Sequence, residues 1–217
     1  MIKVIIFDLD GTIIDSEALS LQAILDCSQK WGVAVTREEA GTVVGRKWDE
    51  AFDILFSHHK MPLSREEATR QVVARFQEII RKDVIFVPEA KRAIEDFKAN
   101  GFRIALVSGS HRADVLWALD KLGVTSHFEV IYGAEDYPRS KPSPDGYLKC
   151  MKTMGVEPSE CVIFEDSVPG LASAEAAGVR SVAITSTNHF GHDQSLAQEH
   201  IADYKGIDAA WVRKRFT

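Results

Sequence analysis

Cysteine is scarce in the 217-residue sequence and badly placed for cross-linking: Cys27, Cys150 and Cys161 are odd in number, and no two form a C-x-x-C pair. Neither a disulfide framework nor a zinc site is expected, and a reducing, cytoplasmic setting fits this usage. Long apolar runs are missing as well. Nothing approaches the roughly 18 consecutive apolar residues of a membrane span. The apolar start, Met1 to Phe7, runs straight into Asp8 and Asp10 instead of the longer core and small-residue cleavage site of a signal peptide. A soluble chain without membrane association is the expectation. There is no excess of positive charge: a formal net charge of −6 gives no general attraction to nucleic acid or anionic lipid. No internal repeat or low-complexity tract is visible.

What is present is an ordinary globular composition. With 45% hydrophobic and 27% charged residues the chain is too apolar to stay disordered, and its length suits one sizeable α/β domain or a core plus a small second domain. Five short apolar runs, Ile2–Phe7, Arg103–Val107, Glu129–Tyr132, Cys161–Phe164 and Ser181–Thr185, read as buried parallel strands. Between them, Ala90, Ala93, Ile94 and Phe97 share a helical face, as do Val115, Ala118, Leu119 and Leu122. Alternating strands and helices predict an α/β fold: a Rossmann-like parallel sheet with helices on both faces. Glycines at 101, 123, 155 and 178 mark helix exits, Pro88 and Pro144 suit first helical turns, and Ser143 is placed to cap the helix after it.

Residues 16–82 break this rhythm, with several helical patterns and no convincing strand. They are read as an inserted all-helical subdomain, leaving 1–15 and 83–217 as the core. Thr36-Arg37-Glu38-Glu39 and Ser64-Arg65-Glu66-Glu67 both match a capping box. Val72, Val73, Phe76, Ile79 and Ile80 form one stripe and Trp48, Phe52, Leu55 and Phe56 another, both assigned to core packing.

In an open α/β sheet, ligands bind beyond the carboxyl ends of the strands. The first run exits into Asp8-Leu9-Asp10-Gly11-Thr12, the second into Ser108-Gly109-Ser110 and the fourth into Glu165-Asp166-Ser167; Lys141 lies between the last two, in Ser140-Lys141-Pro142-Ser143-Pro144-Asp145. Asp8, Asp10, Glu165 and Asp166 converging on one crevice would repel unless a cation sat among them, and carboxylate oxygens favour a hard ion such as Mg²⁺.

These segments, FDLDGT, SGS, SKPSPDGY and FEDS, resemble in order and content the motifs of the haloacid dehalogenase superfamily, and the helical insertion resembles the cap of its β-phosphoglucomutase-like branch. The resemblance implies a Mg²⁺-dependent phosphatase. Asp8 would attack phosphorus to form an aspartyl-phosphate, and Asp10 would protonate the leaving oxygen and then deprotonate water. Asp8, the Asp10 carbonyl and Asp166 would hold Mg²⁺, Glu165 would contribute through a water, and Ser108, Gly109 and Lys141 would bind the phosphoryl oxygens. A capped site implies a small phosphorylated metabolite, a sugar phosphate by preference, and a monomer or weak homo-oligomer.

Gly45, Arg46 and Lys47 sit where this cap branch places a loop facing the site; contact with a distal anionic group and a solvated basic turn both remain open there. His111 either lines the site or starts the helix after Ser110, whereas His189 and His192 are read as surface residues. A phosphosugar mutase is the nearest alternative, but the mutases resembled carry a histidine where Ser20 stands and valine where Thr12 stands. A receiver-like phosphate-binding module is the alternative from another class, disfavoured by the order of the motifs. The segment from Ser186 onward shows no chemical motif and is expected to complete the core with Ile201, Ile207, Trp211 and Val212.

Overall fold

The computed structural model describes residues 1–44 and 48–216. It comprises two compact units, Met1–Ile14 with Phe86–Thr217, and Asp15–Ile85. The divisions fall after residues 14 and 85, where the sequence pattern suggests 15 and 82.

The first unit contains β1 (Val4–Phe7), α5 (Ala90–Ala99), β2 (Arg103–Val107), α6 (Arg112–Leu122), β3 (Phe128–Tyr132), α7 (Asp145–Met154), β4 (Cys161–Glu165), α8 (Val168–Ala176), β5 (Arg180–Ile184), β6 (Glu199–Ile201) and α9 (Ala209–Arg215). The strands form one six-stranded sheet in the order β3-β2-β1-β4-β5-β6, and each neighbouring pair is parallel. The five apolar runs are all strands, with ends shifted slightly. β6 was not anticipated, because three residues that include Glu199 and His200 make no apolar run and pair along one side only.

Alternation along β1 divides its side chains between two buried layers. Val4 and Ile6 join Ala105, Val107, Ile163 and the α7 residues Tyr147, Cys150 and Met151. Phe7 faces the other way, stacking on Phe164 at 5.3 Å between ring centroids and meeting Phe97 of α5 at 6.2 Å and Tyr204 at 6.1 Å. The late segment gives Tyr204 to this layer, and its Ile201, Ile207 and Val212 are buried, whereas Trp211, expected to complete the core with them, is only half-buried. At the ends of α6 and α7, Gly123 and Gly155 adopt left-handed φ values of 76° and 64°, which stop each helix and turn the chain into the next element. Pro144, rather than Ser143, occupies the N-cap of α7.

The second unit holds α1 (Glu17–Lys30), α2 (Arg37–Gly41), α3 (Trp48–His58) and α4 (Arg65–Lys82), with no strand among its described residues. Thr36 makes the full reciprocal capping box with Glu39. Ser64 accepts from the Glu67 N–H, but the Glu67 carboxylate turns to Gln71 Nε2 at 2.6 Å and to Arg70, so half of that box is replaced by pairs one turn further on. The aromatic stripes pack internally, Trp31 against Phe52 and Trp48 against Phe76. Trp31 Nε1 donates to Gln71 Oε1 at 2.9 Å, and Arg75 grips Asp26 Oδ2 through Nε and a terminal nitrogen at 2.8 and 2.7 Å.

Phe97 is buried against the rings of Phe7, Phe102 and Phe164. Phe97→Ala is expected to cost about 3–5 kcal/mol, the usual range for an aromatic-to-alanine cavity. Urea denaturation would measure it; a cost below about 1 kcal/mol would show that this layer collapses onto the gap.

Candidate active site

Strand order reverses between β1 and β4, and at such a switch point ligands bind beyond the carboxyl ends of the strands. Register decides which side chains meet there. Phe7 pairs with Phe164 and the Asp8 N–H donates to the Phe164 carbonyl at 3.0 Å, which levels Asp8 with Glu165. Asp8, Glu165 and Asp166 offer carboxylate oxygens that all lie within 4.8 Å of one another, in residues only 5%, 0% and 5% exposed.

Lys141 reaches into this cluster. Its Nζ donates to Asp8 Oδ1 at 2.5 Å and to Glu165 Oε1 at 2.6 Å, and it lies 5.1 Å from the centre of the Tyr147 ring. Burial works against its charge, but Asp8 and Glu165 outweigh that and hold the ammonium protonated well above the usual lysine range. Burial pushes the Asp8 carboxyl up to about 8, with Lys141 pulling against it and Glu165 and Asp10 adding to it. The loop carrying Lys141 is tied at both shoulders. Arg139 bonds Asp145 through two nitrogens at 2.9 and 2.7 Å, and Ser173 Oγ donates to the Ser143 carbonyl at 2.8 Å.

Glu165 is fully engaged by protein donors. Oε1 takes the Lys141 bond; Oε2 accepts from the N–H groups of Asp166 and Ser167, both at 2.8 Å, and from Ser167 Oγ at 3.0 Å. Ser167 is also the N-cap of α8, accepting from the Gly170 N–H at 3.1 Å, so the carboxylate sits at the positive end of that helix. Gly170 makes room for it, since a Cβ there would stand 1.6 Å from Glu165 Oε1. Asp166 is crowded from the other side by Gly11, whose Cβ would fall 1.9 Å from Asp166 Oδ2, and Thr12 Oγ1 donates to Asp166 Oδ1 at 3.4 Å.

Asp10 stands apart from the three clustered acids. Its Oδ2 accepts from Ser110 Oγ at 2.5 Å, and Ser110 is fixed in turn by its N–H donating to Ser108 Oγ at 3.0 Å. Ser108 is buried, with its carbonyl accepting from Tyr137 Oη at 2.8 Å, while Gly109 is exposed. His111 is the N-cap of α6 and its side chain, 70% exposed, pairs through Nδ1 with Glu135 Oε1 at 2.7 Å. Glu135 is held down to about 2, first by the Arg112 N–H, then by its own N–H and His111. Gly45, Arg46 and Lys47 lie outside the described residues.

Sequence reading alone missed Ser110, Tyr147 and Gly170. Each stands inside or just beyond a motif, at Ser108-Gly109-Ser110, at the close of Ser140 to Tyr147 and three residues after Ser167, but their partners belong to other strands. The all-oxygen donor set suits a hard divalent cation. With all three acids ionised, three carboxylates against one ammonium leave two negative charges, the amount such an ion would balance.

Known proteins resemble the chain over most of its length. Hexitol phosphatase B of Escherichia coli (strain K12) is 33% identical over 181 residues, covering 82% of each chain. Protein CbbY of Rhodobacter capsulatus is 30% identical over 215 residues, 93% of each. The crystal structure of CbbY from Rhodobacter sphaeroides in complex with phosphate superposes with a TM-score of 0.81 at 25% identity, covering 98% of this chain and 100% of that one. The family model for the haloacid dehalogenase-like hydrolases matches residues 5–184, from within β1 to the end of β5, and the chain belongs to that family.

Proposed function

We propose that the chain is a Mg²⁺-dependent phosphatase that hydrolyses a small phosphorylated metabolite of the sugar-phosphate class through an aspartyl-phosphate on Asp8. The observation that carries this reading is the division of labour among the acids. Asp8, Glu165 and Asp166 cluster about Lys141, whereas Asp10, two residues from Asp8, has its carboxylate on Ser110 instead. On this reading the carboxylate outside the cluster is the one that transfers protons.

In the first step an Asp8 carboxylate oxygen attacks phosphorus as the ester P–O bond breaks, and Asp10 gives its proton to the departing alkoxide. In the second, Asp10 takes a proton from water, the water oxygen attacks phosphorus, and the Asp8–phosphorus bond breaks to release phosphate and restore the carboxylate. Lys141, Ser108 Oγ and the Gly109 N–H bind the phosphoryl oxygens, and such donors contribute most as charge builds in the transition state. Asp8, Asp166 and the Asp10 carbonyl would hold Mg²⁺, with Glu165 reaching it through a water because its own oxygens are engaged. When bound, the ion supplies positive charge that keeps Asp8 ionised and draws an anionic substrate into an acidic crevice.

The substrate class follows from the resemblance to hexitol phosphatase B. Gly45, Arg46, Lys47 and His111 are the proposed points of contact with the part of the substrate beyond the phosphate. Thr12, which donates to Asp166, and Ser20 stand where the mutases resembled have valine and histidine, and both favour water over a second sugar as the acceptor.

Wild-type protein is expected to release inorganic phosphate from hexose or hexitol phosphates with Mg²⁺, to stop when EDTA removes the metal, and to resume when Mg²⁺ is restored. Asp8→Asn should abolish release; a variant as fast as wild type would falsify the nucleophile. Incubation with β-glucose 1-phosphate and a trace of its bisphosphate should yield phosphate, and net glucose 6-phosphate without it would establish a mutase instead. Gly170→Ala should displace Glu165 and with it Lys141, lowering kcat by about 10²-fold or more, the cost of losing one charge-stabilising donor. Unchanged steady-state kinetics in that variant would separate Glu165 from catalysis.

A further inference from the structure

The segment after β5 carries no chemical motif, yet two of its polar side chains are buried against the site. Thr187 is 2% exposed and its Oγ1 donates to the Gly11 carbonyl at 2.6 Å. Gln194 is 7% exposed and its Nε2 donates both to the Asp166 carbonyl at 2.6 Å and to the Ile184 carbonyl at 2.8 Å. Both hydrogens of the amide are therefore used. Polar groups are tolerated in such places only when hydrogen-bonded, and two of these three bonds, to Gly11 and Asp166, end on the backbone of residues from different motifs. The segment is itself anchored: the Thr185 and Ser186 N–H groups donate to the Ile201 and Ala202 carbonyls at 2.9 and 3.1 Å, and His200 Nε2 lies 3.0 Å from the Gln194 carbonyl.

The two bonds converge on one carboxylate. The Asp166 N–H is held by Glu165 Oε2 at 2.8 Å and its carbonyl by Gln194, so the peptide groups on both sides of its Cα are fixed and the direction of its side chain follows. Across from it, Gly11 lies against the Asp166 carboxylate with a left-handed φ of 71°, a conformation that leaves no room for a side chain. The Gly11 carbonyl is the group that Thr187 holds. One segment thus restrains both the chain that carries Asp166 and the chain that packs on it.

We propose that Thr187 and Gln194 are positioning residues that set the site's affinity for its divalent cation by fixing Asp166, an inference that rests on Asp166 being a ligand of that cation. Groups that orient metal ligands typically change metal affinity by about 10–100-fold when removed. A merely structural role would lower stability and leave the affinity of the folded protein alone.

Calorimetric titration of the metal-free protein with Mg²⁺, alongside thermal unfolding, separates the two. Gln194→Met and Thr187→Val keep the bulk and remove the donors; each should weaken Mg²⁺ binding about tenfold and raise the Mg²⁺ needed for half-maximal activity in parallel. Thr187→Ser, which keeps the hydroxyl, should restore wild-type affinity. Gln71→Met, which removes the Trp31 bond in the helical unit, should lower the unfolding midpoint without moving affinity. Wild-type affinity in both Gln194→Met and Thr187→Val overturns the inference; should Gln194→Met not fold, Thr187→Val against Thr187→Ser decides it. Mg²⁺ binding that survives intact in Asp166→Asn, or is absent from wild type, overturns instead the cation reading on which the inference stands.

Discussion

A buried ammonium shared between two carboxylates is the interaction on which the site depends. Lys141 is bonded at once to Asp8 and Glu165, from a side chain only 11% exposed. Charges this deep are stable only when paired and supplied with further hydrogen bonds, and taking away one partner costs about 3–5 kcal/mol. The further bonds are present. Glu165 gathers the N–H groups of Asp166 and Ser167, the two residues leading into α8, while Arg139–Asp145 and Ser173–Ser143 hold the loop from which Lys141 extends. With Asp8, Glu165 and Asp166 all ionised, two negative charges exceed what Lys141 neutralises, and a divalent cation is the chemistry that fits them.

Placement of these groups follows from the sheet. β1 lies between β2 and β4, so residues leaving those three strands meet at one end of the sheet. In-register pairing of Phe7 with Phe164 and Leu106 levels the exits, and the aromatic layer beneath, Phe7 on Phe164, holds that register from below. Asp8 and Asp10 leave the same strand yet have different partners, Lys141 for one and Ser110 for the other. On the proposed reading, this separation lets one act as nucleophile while the other moves protons.

Much of this was legible because it is local. A continuous apolar run followed by an acid marks a strand exit, so the five longer strands and the residues beyond them could be read directly from the chain. What escaped reading depends on distant partners. Glu199–Ile201 becomes a strand only because β5 offers it an edge. The Ser64 capping box is incomplete because Glu67 finds Gln71 and Arg70 instead of returning to the N-cap. Thr187 and Gln194 meet their partners 176 and 28 residues away, separations at which no local pattern links a threonine to a glycine carbonyl. The late segment, expected only to complete the core, also braces the motif loops.

The most direct measurement is acid quenching during turnover of a sugar phosphate labelled with ³²P, followed by peptide mapping. Nucleophilic attack by Asp8 predicts a hydroxylamine-labile label on the peptide containing Asp8 in wild type and none in Asp8→Asn. Phosphate released at the wild-type rate with no label on any peptide, or a label on a different residue, would contradict it.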